Sequence, residues 1–197
     1  MTSLAKKKPA RPAASPLQAR SARVRTDHAF RYLLYLPKGY RTDARRQWPL
    51  LVFFHGRGER GWNLSFVKRH GPPKLIAQGH TFPFIVVSPQ CSGEYWWNYP
   101  ALEAFVDDIV RRYRVDLGRV YLTGLSMGGF ATWALAENAP ERYAAIAPVC
   151  GGGEVRLARR LNRLPVWAFH GAKDEIILPK RTTELVSEIK KAGGKPR

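Results

Sequence analysis

The chain has 197 residues, 45% of them hydrophobic, enough for one domain with a full core and too apolar for a disordered protein. Its two cysteines, Cys91 and Cys150, lack C-x-x-C spacing, which excludes a disulfide framework and a structural zinc site. The net charge of +18 is not confined to a tail: past residue 26 there are still 26 Lys and Arg against 15 Asp and Glu. No RRM, KH or zinc-finger signature accompanies that charge, so it reads as a solvated basic surface and no specific nucleic-acid partner is expected.

Residues 1–26 hold seven Lys and Arg, no acid and almost no large apolar side chain. Such a segment cannot offset its ordering entropy by burial and is expected to be a disordered basic tail, leaving 27–197 as the domain. It has no apolar signal-peptide core, and no stretch of the chain has the length of a membrane span, so a cytoplasmic location is expected. An acid-free, Ala-rich leader also fits a transit peptide, and that alternative stays open.

Ala29–Leu36 reads as a strand closed by Pro37-Lys38-Gly39. Pro49–Phe54 is continuously apolar, as in a parallel strand covered on both faces. It runs into His55-Gly56-Arg57-Gly58-Glu59-Arg60-Gly61, a glycine-punctuated loop at the edge where open α/β sheets bind ligands. Phe82–Pro89 is the next buried strand, followed by a loop carrying Trp96 and Trp97. Both tryptophans are candidates for lining a substrate pocket or for covering the core. Apolar residues at 102, 105, 106, 109, 110 and 113 have helical spacing. Later elements are strands at 143–150 and 164–169, a short charged helix near 154–162 and a helix over 179–192. Alternating strand and helix predicts a mostly parallel sheet with helices on both faces.

The centre of the pattern is Gly124-Leu125-Ser126-Met127-Gly128-Gly129. The apolar run Gly118–Thr123 precedes it, and the helix-like run Phe130–Ala136 follows. A strand entering a helix through G-x-S-x-G is a nucleophile elbow, in which glycines at 124 and 128 clear room for a strained serine. The helix N-terminus beneath Ser126 favours developing negative charge. The five histidines, 28, 55, 70, 80 and 170, show no metal-ligand spacing, and neither metal nor cofactor is expected.

The motifs HGRGERG, VSPQC with its following WW, GLSMGG and FHGAKDEIILP, in that order over 28–197, resemble the α/β-hydrolase superfamily. Within it they resemble esterase-like members of the phospholipase/carboxylesterase and dienelactone-hydrolase type, some labelled predicted peptidases or polysaccharide-ester esterases. The resemblance implies Ser126 as nucleophile and Asp174 as triad acid. It further implies backbone N–H groups of Met127 and Arg57 as the oxyanion hole, and a small-molecule or saccharide-linked ester as substrate. A serine hydroxyl attacks poorly without a base, a carboxylate orients that base, and two N–H groups receive the carbonyl's charge. His55 and His170, each before a glycine at a strand end, are expected to be structural rather than the general base.

The pattern also implies a triad histidine a few tens of residues beyond Asp174, after one more strand. No histidine follows Asp174, and the chain reaches Gly193–Arg197 where that strand would begin. The expectation is a C-terminally truncated hydrolase lacking its last strand and helix, its turnover reduced on the order of 10⁴–10⁶-fold. A non-catalytic binding protein on the same fold, and a nucleic-acid-associated protein acting through its tail, are the alternatives.

Overall fold

A computed structural model describes residues 16–23, 29–93 and 95–197. Its strands are β1 (Leu17–Arg23), β2 (Ala29–Tyr35), β3 (Trp48–Phe54), β4 (Ile85–Gln90), β5 (Val115–Leu125) and β6 (Ala145–Val149). The helices are α1 (Gly71–Ala77), α2 (Tyr99–Arg112), α3 (Met127–Asn138) and α4 (Lys180–Lys191). The sheet order is β1-β2-β4-β3-β5-β6. β1, β2 and β4 pair antiparallel, whereas β4, β3, β5 and β6 pair parallel. This is the expected α/β architecture, with a parallel centre and an antiparallel flank.

Successive strand residues enter opposite cores. In β2, Tyr32 and Leu34 join the cluster under α2, α3 and α4, while Leu33 and Tyr35 join Val67, Ile76 and Val86 near α1. β4 does the same, with Ile85 and Val87 on one side and Val86 on the other. Helix α2 starts where Asn98 Oδ1 accepts the Ala101 N–H at 2.9 Å, with Pro100 in its first turn, a favourable cap. Helix α3 is buried on nearly every side, from Met127 through Glu137, which explains its largely apolar composition. It is the helix on which Ser126 depends.

Three expectations need correction. Residues 17–23 are not part of a disordered tail: they form β1, in register from Leu17↔Tyr35 to Arg23↔Ala29. Leu17 and Ala22 are buried there, and the backbone pairing with β2 supplies what the side chains lack. The remainder of the presumed tail, 1–15 and 24–26, lies outside the described residues, as does His28. The stretch 164–169 makes two isolated parallel bridges to β6, Ile146↔Val166 and Val149↔Phe169, rather than an uninterrupted strand. Pro148 of β6, which has no N–H to offer the Trp167 carbonyl, removes the rung between the two bridges. Around 154–162 the charged segment forms one 3-10 turn, Ala158–Leu161, in place of a helix.

The 164–169 stretch also pairs on its outer side. Arg197 N–H donates to the Val166 carbonyl at 2.9 Å, and the Ala168 N–H donates to the Arg197 carbonyl at 2.8 Å. Beside it, Leu51, Phe84, Tyr121, Ala147, Val166 and Trp167 line an apolar groove of about 790 Å³. No helix of the described residues is long and apolar enough to cross a membrane.

Candidate active site

Ser126, His55, Cys150 and His170 each stand one residue beyond the last paired position of a parallel strand or bridge. The register Phe54↔Gly124, Leu125↔Val149 and Val149↔Phe169 brings these ends to one edge of the sheet. That edge is where an open α/β sheet collects its functional loops.

Ser126 has φ 56° and ψ −116°, a left-handed conformation that a serine adopts only when its surroundings impose it. The constraints are visible. Its N–H donates to the Val149 carbonyl at 2.9 Å, and its carbonyl accepts the Phe130 N–H at 3.1 Å, locking strand and helix on either side. A methyl on Gly124 would overlap the Gly128 backbone, and one on Gly128 would overlap the Phe54 carbonyl. One on Gly129 would meet the Val149 carbonyl at 2.5 Å. The three glycines therefore let α3 rise from the sheet surface with almost no separation, and the serine sits at its N-terminal end.

The loop after β3 lies against this turn. A methyl added to Gly56 would lie 3.6 Å from Ser126 Cβ and 3.4 Å from the Leu125 carbonyl. The loop is held from within by the buried Glu59, whose Oε2 accepts the Gly56 N–H at 3.0 Å. Gln90, buried at the end of β4, adds two anchors by donating from Nε2 to the carbonyls of Glu59 and Asn63, each at 2.9 Å. Arg57 opens the 3-10 turn Arg57–Glu59 and Met127 opens α3. The N–H of Met127, at a helix start, has no intrahelical acceptor. These are the two positions expected to form an oxyanion hole.

His55 is occupied structurally. Its Nε2 accepts the Cys91 N–H at 2.9 Å, and its Nδ1 faces the Gly56 carbonyl at 2.6 Å. A backbone N–H only donates and a carbonyl only accepts, so Nδ1 carries the proton and the ring is neutral. Burial pushes its pKa down to about 4, with Arg60 adding to the effect against the Gly56 carbonyl. His170 is engaged as well: Nδ1 meets Thr182 Oγ1 and Nε2 meets the Ile177 carbonyl, both at 2.7 Å. It ties the loop after 169 to α4, and Thr182 passes the tie to the Gly151 carbonyl at 2.9 Å. Both imidazoles are thus anchors.

Asp174 lies in that loop. Its Oδ1 accepts the N–H groups of Ile177 at 2.9 Å and Ile176 at 3.0 Å, and its Oδ2 is 3.7 Å from His170 Nε2. These backbone donors, Ile177 foremost, hold its pKa below the usual carboxylate value against partial burial. Asp174 is therefore an anionic turn residue with one oxygen free of backbone bonds. The half-buried Cys150, one residue past β6, shares this edge, and burial first, then the Asp174 charge, raises its thiol pKa. Cys150 has φ 40°, a positive-φ backbone that among non-glycine described residues it shares with Ser126.

The tryptophan pair divides. Trp96 is 49% exposed, its ring edge-on to Phe130 at 5.9 Å, one turn along α3 from Ser126. Trp97 is 3% exposed and packs on Phe54 and His55, with its Nε1 donating to the His55 carbonyl at 3.4 Å. Trp97 therefore covers the core behind the loop, its polar atom turned inward, while it also contributes to the lining of the groove that holds Trp96.

Residues 51–189 match the family model described as the alpha/beta hydrolase family. The chain belongs to that family. Among curated relatives, it is 29% identical over 137 residues to a bifunctional acetylxylan esterase/xylanase of Neocallimastix patriciarum, covering 66% of this chain and 20% of the relative. It is 30% identical over 142 residues to a poly(3-hydroxyalkanoate) depolymerase C of Paucimonas lemoignei, covering 60% of this chain and 30% of the relative. A solved thermostable esterase superposes with a TM-score of 0.77 at 29% identity, over 92% of this chain and 53% of that one. The chain thus spans about half or less of each.

For this alpha/beta hydrolase, sequence reasoning missed Trp62, which the structure brings to the same groove as Trp96. It stands just after the HGRGERG motif, and only the folding of its loop singles it out. Among the described residues, no group of three His, Cys, Asp or Glu side chains gathers as a metal site.

Proposed function

We propose that the chain is a serine hydrolase of carboxylic esters, acting through an acyl-enzyme on Ser126. The observation that carries the reading is the strained Ser126 backbone, held between β5 and α3 by glycines that tolerate no side chain. Strain of this kind is kept where the surroundings over-determine it, commonly at functional sites. Ser126 Oγ attacks the ester carbonyl and loses its proton. The carbonyl oxygen gains charge beside the Met127 and Arg57 N–H groups, the alcohol leaves with a proton, and water releases the acid. Asp174 is the carboxylate that would orient the base. The esterase names of the relatives support ester chemistry, on a small-molecule or saccharide-linked substrate.

In the 197-residue chain the proton acceptor is the weak point. His55 and His170 have both ring nitrogens engaged, so neither imidazole is free to serve Ser126. That observation favours a second reading, a non-catalytic binding protein on the hydrolase fold. The test is hydrolysis of p-nitrophenyl acetate by the chain and by Ser126→Ala, with and without added imidazole. The esterase reading expects a slow Ser126-dependent rate and, with imidazole, a parent rate that exceeds the variant's by more than without it, the variant reporting the reagent's own attack on the ester. Equal rates under both conditions favour the binding protein.

A further inference from the structure

Beyond the elbow, a groove of about 530 Å³ is lined by Trp62, Gln90, Ser92, Tyr95, Trp96 and Asn98, among others. Three of these rings are displayed to solvent: Trp62 is 66% exposed, Tyr95 72% and Trp96 49%. Large aromatics are normally buried for their area, so three on one groove form an apolar surface that asks for a ligand. The loops that carry them are fixed. Arg31 Nη1 donates to the Trp62 carbonyl, and Arg60 Nη1 donates to the Tyr95 carbonyl at 3.1 Å. Trp96 Nε1 donates to the Tyr99 hydroxyl at 3.1 Å. The loop backbones at Trp62 and Tyr95, and the Trp96 ring itself, are therefore held in place before any ligand arrives, which lowers the entropy cost of binding.

Polar groups lie between the rings. Asn98 uses its Oδ1 to cap α2, which leaves its amide N–H groups as donors beside Trp96. Gln90 is buried, and its Oε1 accepts no hydrogen bond from the described residues. Ser92 adds a hydroxyl at the groove's wall. Trp96 of the groove packs against Phe130, in the first turn of α3, the helix that Ser126 caps.

We infer that the Trp62–Tyr95–Trp96 groove binds the sugar chain of a saccharide ester and so sets the alcohol side of the substrate. A pyranose ring offers C–H faces that stack on aromatic rings, while its rim of hydroxyls needs wet or amide partners. An open shelf of exposed rings interspersed with amides and a hydroxyl matches both demands. A planar aryl acyl group would instead be matched by a closed apolar slot. This assignment deepens the esterase reading and rests on it for the identity of the ester.

Calorimetric titration of neutral xylohexaose and cellohexaose into Ser126→Ala, at physiological ionic strength, tests it. Neutral oligosaccharides keep the basic surface out of the measurement. Binding of at least one, weakened roughly ten-fold or more by Trp62→Ala and by Tyr95→Ala and unchanged by Trp167→Ala, is the expected result. Both substituted side chains are solvent-exposed, so folding is checked by an unchanged melting temperature. No binding of either oligosaccharide overturns the inference, as does binding that survives the aromatic substitutions. Binding of sodium ferulate in the groove without saccharide binding assigns it to the acyl group and also overturns the inference. Because the titration does not use Ser126, the two readings fail separately. Hydrolysis without saccharide binding removes only the groove assignment, and binding without Ser126-dependent hydrolysis removes only the esterase.

Discussion

Glu59 Oε2 accepts the Gly56 N–H at 3.0 Å, so one buried carboxylate shapes the backbone that lies against Ser126. Replacing Glu59 by Ala leaves that buried donor unpaired, which costs about 1–3 kcal/mol. Glu59→Gln keeps an acceptor oxygen and is expected to lose less. Urea unfolding of the three proteins measures the order, and an alanine variant as stable as the parent would contradict this role.

Gly128 faces the Phe54 carbonyl with no room for a methyl. Gly128→Ala must separate α3 from β3 or fail to fold, at a cost of more than about 3 kcal/mol. Gly58, which has open space around its Cα, is the matched control. Gly58→Ala is expected to melt within a few degrees of the parent, whereas Gly128→Ala is not.

Glu137, buried in α3, has its carboxyl pushed up to about 7 from an ordinary 4.5, chiefly by burial, although the Glu154 N–H opposes the shift. Below pH 4.5 the carboxyl is protonated folded and unfolded, and the native state carries no charge penalty. Between 4.5 and 7 the unfolded chain releases its proton first, so this contribution to stability is lost as pH rises. Glu137→Gln escapes the loss. Its stability relative to the parent is expected to grow across that window to about 3 kcal/mol above pH 7. Chemical unfolding at pH 4, 6 and 8 checks the trend, and a pH-independent difference would refute it.

Cys150 is half-buried at the end of β6, whereas Cys91 is buried and its thiol is raised to about 11. Burial, with the Asp174 charge, lifts Cys150 as well. N-ethylmaleimide is expected to modify Cys150 before Cys91, faster at pH 9 than at pH 7, because the thiolate is the nucleophile. The Ser126 N–H bonds to the carbonyl of Val149, the residue before Cys150, so an adduct there is expected to reduce Ser126-dependent hydrolysis. Peptide mapping with activity assays decides it, and full activity after complete Cys150 modification would show the thiol to be remote.

The parallel centre of the sheet was legible because doubly covered strands such as Leu50–Phe54 and Ile85–Val87 are written as unbroken apolar runs. The elbow was legible because its glycines are a local steric requirement. β1 was not, since its seven residues bury only Leu17 and Ala22 and depend on β2 for backbone partners. Trp96 and Trp97 are neighbours in sequence with opposite fates, decided by His55 and Phe54 packing on one of them. The engagement of His170 by Thr182 and Ile177 is likewise set by how α4 docks, which no spacing in the chain encodes.

The account stands on Ser126 as a nucleophile, and covalent capture tests that most directly. The chain and Ser126→Ala are incubated with a fluorophosphonate, digested with trypsin and analysed for the peptide Val120–Arg142. The account predicts one adduct on Ser126 in the parent, forming slowly and faster with imidazole, and none in the variant. An unlabelled Ser126 in a folded parent, or equal labelling of the variant, would contradict it.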